Sequence, residues 1–408
     1  MAHLRIRPDF DLDQKVALMQ QDARFDVAEG DLADLSSLAP IRQGVVSRPT
    51  LPKVPKVFLG NDCVFNCAYC GCRQSNECKR NYALTPWTLA EVAVRQAQQR
   101  GSGIFLSSAI LRNPDYTQEM IVETLRIIRQ HFRYEDYVHA KVMPGADPRL
   151  IWETGRYADR MSVNIEVAQS EGYARVAKNK NRKNILTPMG QISDFIFEAK
   201  QEDRPGRPRF AVSQTTQLMA GSTEEDDRTI LRLTQALYRK YRLSRVYYTA
   251  FHYTHPAKGY EGLEPVRTPL WRMARLYQAD RLIFQYGFAA EELTPTSAPF
   301  LSERMDPKLA WALRNLERFP VEINRADLET LLRVPGIGLT YAKRIVAARR
   351  QGILTHEALR ALGVSLKRSR HFVTCNGKYL GATCDRPDLL ADLLAEPYRQ
   401  EQMDLSGN

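Results

Sequence analysis

Six short apolar runs alternate with amphipathic stretches over residues 56–285 of this 408-residue chain. We predict the runs to be β-strands and the stretches between them to be helices. The predicted strands are Val57–Gly60, Gly103–Ser107, Tyr137–Met143, Arg160–Val167, Arg209–Leu218 and Arg245–Phe251. Repeated strand–helix units predict an α/β fold with a parallel sheet and helices outside it. A partial (β/α)6 barrel of the TIM type fits the pattern, and a doubly wound sheet is the alternative.

Two of the predicted strands carry polar side chains at alternate positions. Asn164 and Glu166 alternate with apolar residues in the fourth strand, and His139 and Lys141 share one face of the third. Parallel strands that are buried on both faces usually read as continuous apolar runs. We therefore expect the polar face to line a ligand site, as the interior of an incomplete barrel would.

Length and composition predict more than one domain. The chain has 44% hydrophobic residues, enough for sizeable cores, and at roughly 150 residues per domain its length suggests two or three domains. We predict an N-terminal helical extension at 1–52, the barrel at 53–290, an all-α domain at 300–380 and a C-terminal tail at 381–408.

The charge balance favours an anionic partner. The chain has 58 Lys and Arg against 47 Asp and Glu, a net charge of +11, and residues 301–378 carry 15 basic and 7 acidic side chains, a net of +8. A clustered basic excess is typical of nucleic-acid binding. No apolar stretch approaches the roughly 18 residues of a membrane span, and the N-terminal sequence is too polar for a signal peptide. We predict a cytoplasmic protein with no membrane partner.

Seven cysteines are present, and five of them fall within residues 63–78. An odd, clustered set is not typical of a disulfide framework and indicates a metal or cluster site in a reducing compartment. Cys63, Cys67 and Cys70 have the spacing C-x3-C-x2-C directly after the first predicted strand. Three thiolates on one loop can hold three irons of a cubane cluster and leave the fourth iron open. A structural zinc loop is the alternative.

This spacing, with Tyr69 just before the last cysteine, resembles the motif of the radical S-adenosylmethionine (SAM) superfamily. The resemblance implies a radical SAM barrel with a [4Fe–4S] cluster, which cleaves SAM reductively to a 5′-deoxyadenosyl radical. The positions that it assigns to SAM are Ser107 and Ser108 for the amino group, Asn164 and Glu166 for the ribose, Lys141 for the carboxylate or a substrate phosphate, and Glu224 for a turn beside adenine. The usual Gly-Gly-Glu is absent. A solvated strand face, a surface lysine and an ordinary helix start are the alternative interpretations.

Three further groups of residues are candidates for a functional role. The aromatic run Tyr247–His255 can line the mouth of the barrel and stack on a base, or form a core seam. Arg73 and Arg80 are candidates for holding an anionic cofactor or substrate. The four other cysteines, which can form a second metal site or be spare thiols, are Cys72, Cys78, Cys375 and Cys384.

Residues 327–346 match the helix-hairpin-helix pattern of an apolar helix, a glycine-containing hairpin and a second helix. The glycines allow a tight turn with outward backbone N–H groups, and the second helix presents its N-terminus there, so that a phosphate fits. A weaker second copy follows around Gly363. The residues predicted to contact nucleic acid are Val334, Gly336, Ile337, Gly338, Lys343, Arg344, Lys367 and Arg368. We predict largely sequence-independent binding of duplex DNA, with protein contact as the alternative.

The order of features over residues 12–380 resembles one family in particular, the radical SAM proteins described as DNA modification or repair proteins. The segments that carry the resemblance, besides the cysteine loop and the hairpin, are Asp22–Asp26, Phe105–Ser108, His139–Gly145, Asp159–Glu166, Leu186–Gly190 and Tyr277–Asp280. Glu29, Gly30 and the step Gly71–Arg73 depart from the family pattern, and no thiol stands at position 29 or 30.

The family resemblance implies action on DNA. It also implies a uracil-DNA-glycosylase-like protein as a partner and a flavodoxin or ferredoxin as electron donor. Two alternatives stay open. One is a radical SAM enzyme that modifies RNA, such as tRNA. The other is a DNA-binding protein whose cluster is structural or redox-sensing.

Overall fold

The computed structural model describes residues 10–23, 54–202, 210–253, 257–381 and 387–395. These residues divide into two compact units. The first unit contains the described residues up to 225 and those from 236 to 269, and the second contains 226–235 and those from 270 onward. Predictions that concern Arg24–Asp26, Glu29, Gly30, Arg209, His255 or Cys384 lie outside the described residues.

The first unit is built on a six-stranded parallel sheet whose strands follow one another in chain order. The strands are β1 (Lys56–Phe58), β2 (Ile104–Ser107), β3 (Val138–Lys141), β4 (Arg160–Ser162), β5 (Ser213–Ala220) and β6 (Arg245–Ala250). A doubly wound sheet reverses its strand order at a switch point, and this sheet has no such reversal. The doubly wound alternative is therefore wrong, whereas the mixed α/β class and the parallel sheet are confirmed.

Helices precede, separate and follow these strands. Those up to residue 286 are α1 (Leu12–Ala23), α2 (Pro86–Arg100), α3 (Pro114–Arg126), α4 (Pro148–Tyr157), α5 (Glu171–Val176), α6 (Arg182–Gln201), α7 (Asp227–Tyr241) and α8 (Leu270–Tyr286). The last of those named here, α8, belongs to the second unit. A π-helical turn, Ile127–His131, continues α3. Local sequence explains three of the starts, because α2, α3 and α4 each begin with proline after a capping side chain. The caps are Thr85, Asn113 and Asp147.

The fourth strand is shorter than the sequence predicts. Its regular pairing ends at Ser162, although Glu166 still forms an isolated bridge with Leu218. The cause is the side chain of Thr216, whose Oγ1 accepts a hydrogen bond from the N–H of Ile165 and donates one to the carbonyl of Val163. These bonds interrupt the backbone ladder just where the polar residues leave the sheet.

The second unit combines short helices with a small sheet. The helices are α9 (Ala290–Leu293), α10 (Pro307–Arg314), α11 (Leu328–Arg333), α12 (Leu339–Ala348), α13 (His356–Ala361), α14 (Leu366–Ser369) and α15 (Pro387–Leu394), with a 3-10 turn at Leu316–Arg318. Their core includes Trp311, whose ring meets Phe288 and Phe319 edge to face at centroid distances of 5.3 Å and 6.2 Å.

The prediction that this domain is all-α is wrong. The described residues contain five further short strands, β7 (His252–Tyr253), β8 (Val266–Arg267), β9 (Val321–Glu322), β10 (Val373–Cys375) and β11 (Lys378–Tyr379). Three of them form a sheet of the second unit in the order β11-β10-β9, and β7 pairs with β8 in the first unit. Asn376 and Gly377 both have positive φ between β10 and β11, which is the backbone that a two-residue hairpin requires. None of the described helices is long and apolar enough to cross a membrane.

Candidate functional site

The cysteine loop follows β1 and borders a cavity of about 280 Å³. Cys63, Cys67 and Cys70 all line this cavity. The loop is held by backbone hydrogen bonds, among them Cys70 N to Cys67 O at 3.1 Å and Ala68 N to Val176 O at 2.9 Å. The three thiols are therefore presented to one space by a fixed backbone.

Five of the six residues assigned to SAM line the same cavity. Ser107 and Lys141 are the last residues of β2 and β3, and parallel strands present their carboxyl ends at a common edge. The five that the structure brings together around the cavity are Ser107, Ser108, Lys141, Asn164 and Glu166. Asp22 and Gln217, which the sequence analysis does not assign to SAM, also line the cavity.

Glu224 is not among the residues that line the cavity. Its side chain is 94% exposed and lies 3.8 Å from Arg175. The adjacent Glu225 is buried instead, and its carboxylate accepts hydrogen bonds from the N–H groups of Gly221 and Thr223 at 2.6 Å and 2.8 Å. Gly221 has a φ of +84°, so the chain does turn at this glycine. The buried carboxylate at the turn is that of Glu225, however, and not that of Glu224.

Lys180 is a cavity residue that sequence reasoning missed. Its Nζ lies 2.7 Å from Oε1 of Glu166 and 3.4 Å from the hydroxyl of Tyr69. Burial alone lowers the pKa of the Lys180 ammonium, but the nearby charges of Glu166 and Cys67 outweigh burial and raise it above its ordinary value. The ammonium is therefore kept charged beside the cysteine loop. The only sequence signal was the basic run just before α6.

Lys141 and Asn164 are also joined, through a hydrogen bond from Nζ to Oδ1. Lys141 Nζ also lies over the ring of Phe105, 5.9 Å from its centroid. His139 does not line the cavity, and its Nε2 lies 2.8 Å from the Oγ of Ser162. Of the two polar residues on this face of β3, Lys141 therefore lines the cavity and His139 is buried in the core.

The thiols of the loop differ in acidity. Burial raises the pKa of Cys67 to about 12, whereas a hydrogen bond from the Cys72 thiol lowers the pKa of Cys70. A thiol of raised pKa must lose its proton to become a metal ligand.

Among the described residues, no group of three His, Cys, Asp or Glu side chains is arranged around a single metal-ion position. In a cubane cluster each thiolate binds a different iron.

The end of β6 supplies the apolar side of the cavity. Phe251 and His252 line it, and the Phe251 ring meets that of Tyr69 edge to face at a centroid distance of 6.4 Å. Tyr247 and Tyr248 are instead buried in the core. Thr249 lines the cavity as well, and its buried Oγ1 has no hydrogen-bond partner within the described part of the chain. The aromatic run is divided between the core and the cavity.

The remaining cysteines have separate surroundings. Cys72 lines the cavity, Cys78 is exposed, and Cys375 is buried in β10 of the second unit. Arg73 donates a hydrogen bond to the carbonyl of Cys70 at 3.2 Å, and Arg80 is exposed.

The predicted hairpin lies between α11 and α12. Gly336 has a φ of +87°, a conformation that favours glycine. Val334 and Ile337 are buried, and the Ile337 carbonyl accepts a hydrogen bond from the buried Lys308 Nζ at 2.5 Å. Gly338 caps the start of α12.

The basic side chains that were predicted to contact nucleic acid lie on the two hairpin helices. Lys343 and Arg344 are exposed on α12. A second helix–turn–helix follows, with Gly363 at a φ of +90° between α13 and α14. Lys367 is exposed on α14, and Arg368 pairs with Asp306 at 2.7 Å.

A comparison with family models supports the hairpin. Residues 318–358 match the family model described as helix-hairpin-helix motif. This match covers the first hairpin and extends to the start of α13, which the sequence analysis placed in a weaker second copy.

The whole chain has no curated relative and resembles solved structures only distantly. No curated protein matches the sequence of this chain. Among solved structures, the FeFe-hydrogenase maturase HydG from Carboxydothermus hydrogenoformans is 13% identical with a TM-score of 0.42, over 76% of this chain and 80% of that one. A second structure of HydG, a maturase of the [FeFe]-hydrogenase, is 11% identical with a TM-score of 0.43, over 87% and 93%. Similarities at this level decide neither the fold nor the activity of the present chain.

Proposed function

We propose that this protein is a radical SAM enzyme that acts in DNA modification or repair. The observation that carries the proposal is that Cys63, Cys67 and Cys70, spaced C-x3-C-x2-C after β1, surround one cavity together with polar residues from the ends of β2 and β3. The proposal includes the curling of the six-stranded sheet into a partial barrel and the domain limits given above.

The donor set fits a [4Fe–4S] cluster and SAM. Three thiols are available as ligands, and soft thiolates are the ligands that iron–sulfur clusters use. Two buried ammonium groups, Lys141 and Lys180, line the same cavity, where they offset the charge of thiolates and of a carboxylate. The partnerless Oγ1 of Thr249 is a polar atom that a bound ligand can satisfy. When bound, the cluster and SAM supply a 5′-deoxyadenosyl radical that abstracts hydrogen from a substrate.

The role of the chain's own residues in this proposal is to bind and orient SAM and to keep water out of the cavity. In this proposal Ser107 and Ser108 face the amino group of SAM, Asn164 and Glu166 face its ribose, and Lys141 faces its carboxylate or a substrate phosphate. Three of these side chains are held in place by hydrogen bonds, because Lys141 donates to Asn164 and Lys180 donates to Glu166. Phe251 helps to exclude water from the apolar side, which strengthens charge interactions inside the cavity.

The second unit is proposed to hold duplex DNA. The helix-hairpin-helix match over residues 318–358 supports this assignment, as does the net charge of +8 over residues 301–378. Lys343, Arg344 and Lys367 are exposed there, and exposed basic side chains of this kind can contact phosphates. A uracil-DNA-glycosylase-like partner and a flavodoxin or ferredoxin electron donor belong to the same proposal.

The test is SAM cleavage by anaerobically reconstituted protein in the presence of duplex DNA, followed as 5′-deoxyadenosine release. We expect turnover in the wild type and in Cys78→Ser, whose exposed thiol does not line the cavity, and none in Cys67→Ser. Preference for tRNA over DNA at one salt concentration would indicate the RNA enzyme. An intact reduced cluster without SAM cleavage would indicate the structural or sensing role.

A further inference from the structure

A second, larger cavity lies within the second unit. Its volume is about 620 Å³, compared with about 280 Å³ for the cavity beside the cysteines. Both hairpins border it, and so do the end of α8 and the start of α10. A volume of this size is in the range of small-ligand sites, whereas contact with a continuous DNA backbone needs only an open surface.

The charge of this cavity differs from that of the first. Among the residues that line it, five are Lys or Arg and one, Asp306, is acidic. The cavity beside the cysteines is lined by two lysines and two carboxylates. Several of these cations also have protein partners: Arg275 donates to the carbonyls of Ser302 and Glu303, Lys308 donates to that of Ile337, and Arg368 is paired with Asp306. Five basic side chains against one carboxylate still give the wall a positive excess, which favours an anionic ligand.

The two hairpin turns pack tightly against their neighbours at the wall of the cavity. A Cβ on Gly336 would lie 3.3 Å from the backbone nitrogen of Ser369, and one on Gly363 would lie 3.1 Å from the ring of Tyr341. Each turn therefore packs against the other hairpin's helix. Because both glycines line the cavity, the backbone of both turns faces the same ligand space.

Two tyrosines give the cavity surfaces that suit a nucleobase. Tyr286 and Tyr341 both line it, and aromatic rings stack on bases of any sequence. The hydroxyl of Tyr286 accepts a hydrogen bond from the N–H of Leu339 at 3.2 Å, and Lys308 Nζ lies 5.2 Å from the centre of its ring. The ring is thus fixed between the first hairpin and the Lys308 side chain.

We propose that this cavity binds one whole nucleoside monophosphate, with the phosphate at Lys367 and Arg368 and the base beside the two tyrosines. The ligand is either a free nucleotide or the phosphorylated terminal nucleotide of a DNA strand at a nick or an end. The strand-end form rests on the proposed DNA-binding function, whereas binding of the free nucleotide does not. In either form the second unit recognises a strand terminus or its monomer in addition to the uninterrupted backbone.

The experiment measures two affinities at fixed salt. Thymidine 5′-monophosphate is titrated by calorimetry, and nicked duplexes with a 5′-phosphate or a 5′-hydroxyl at the nick are compared by fluorescence anisotropy. We expect saturable binding of the nucleotide, and about tenfold tighter binding of the phosphorylated nick, because a charge-assisted phosphate contact is worth at least that factor.

Lys367→Gln should abolish the preference for the phosphorylated nick and weaken nucleotide binding about tenfold. The matched control is Lys343→Gln, an exposed lysine of α12 that does not line the cavity, which should weaken binding of both nicked duplexes by the same factor. Nucleotide binding without a nick preference would assign the free nucleotide as ligand. Absence of nucleotide binding at millimolar concentration, together with equal affinity for the two nicks, would overturn the inference. Failure to bind any duplex would instead contradict the proposed function.

Discussion

Lys180 Nζ lies 2.7 Å from Oε1 of Glu166, and both side chains are nearly buried beside the cysteine loop, at 12% and 5% exposure. Glu166 adopts a φ of +64°, a backbone conformation that costs about 1–2 kcal/mol for a residue with a side chain. Such strain persists only where the surroundings hold it. The ion pair, together with the hydrogen bonds of the Glu166 backbone to Gln217 and Met219, fixes the carboxylate at the cavity.

Removal of the Lys180 ammonium should destabilise the protein strongly. Lys180→Met leaves the Glu166 carboxylate buried without its cation, and such losses cost about 3–5 kcal/mol. Urea denaturation of the metal-free protein measures this change in the free energy of unfolding. The exposed pair Arg95–Glu91 provides the control, because Arg95→Met should cost no more than about 0.5 kcal/mol.

The double variant Lys180→Met/Glu166→Leu discriminates between an ion pair and simple packing. It should recover much of the lost stability, because it removes the buried charge together with its partner. A double variant as unstable as Lys180→Met alone would mean that the pair is not what stabilises this side of the cavity.

Thr249→Val should separate ligand binding from stability. The Oγ1 of Thr249 is buried without a hydrogen-bond partner within the described residues, so its removal should leave the free energy of unfolding unchanged or raise it by up to about 1 kcal/mol. SAM affinity of the reconstituted protein, measured by equilibrium dialysis, should fall several-fold. Unchanged affinity would show that SAM does not use this hydroxyl.

Gly336→Ala should disrupt the first hairpin. The φ of +87° at Gly336 is unfavourable for alanine by about 1–2 kcal/mol, and the added Cβ would lie 3.3 Å from a backbone nitrogen. The melting temperature and the affinity for duplex DNA should both decrease. Gly352→Ala is the control, because a Cβ there meets no atom within 4 Å. Equal effects of the two substitutions would contradict a conformational requirement at the hairpin.

Because of Lys308, the free energy of unfolding should depend on pH in the alkaline range. Burial lowers its pKa to about 7, although Asp306 acts in the opposite direction, whereas an unfolded lysine titrates near 10.4. Between these values the unfolded chain binds more protons, so this lysine's contribution makes the free energy of unfolding rise with pH. Urea denaturation from pH 7 to pH 10 should therefore show a steeper rise in wild type than in Lys308→Met. Parallel curves would show that Lys308 has an ordinary pKa.

Much of the sheet was predictable because buried parallel strands read as apolar runs. Five predicted strands overlap β1, β2, β3, β5 and β6, although β5 runs over Ser213–Ala220 rather than 209–218. The fourth ends early because the hydroxyl of Thr216 replaces ladder bonds, and no local pattern signals such a distant contact. The hairpin in the second unit was missed although Asn376-Gly377 is a recognisable turn signal.

The cavity was predictable where its residues sit at strand ends or follow a recognisable motif. Lys180 was missed because it belongs to a loop, 14 positions from its partner Glu166. Glu224 was chosen over Glu225 because two adjacent glutamates after a glycine turn are indistinguishable by residue type. Only the three-dimensional turn shows which carboxylate meets the N–H groups of Gly221 and Thr223.

The most direct test of the central claim is iron analysis combined with electron paramagnetic resonance on protein reconstituted anaerobically with iron and sulfide. We predict about four irons per chain, as one [4Fe–4S] cluster requires, and a spectrum of the reduced protein that shifts when SAM is added. Cys63→Ala should lose that shift, and Cys78→Ala should keep it. A loop that binds zinc in place of the cluster, or a spectrum that is indifferent to SAM, would contradict the account.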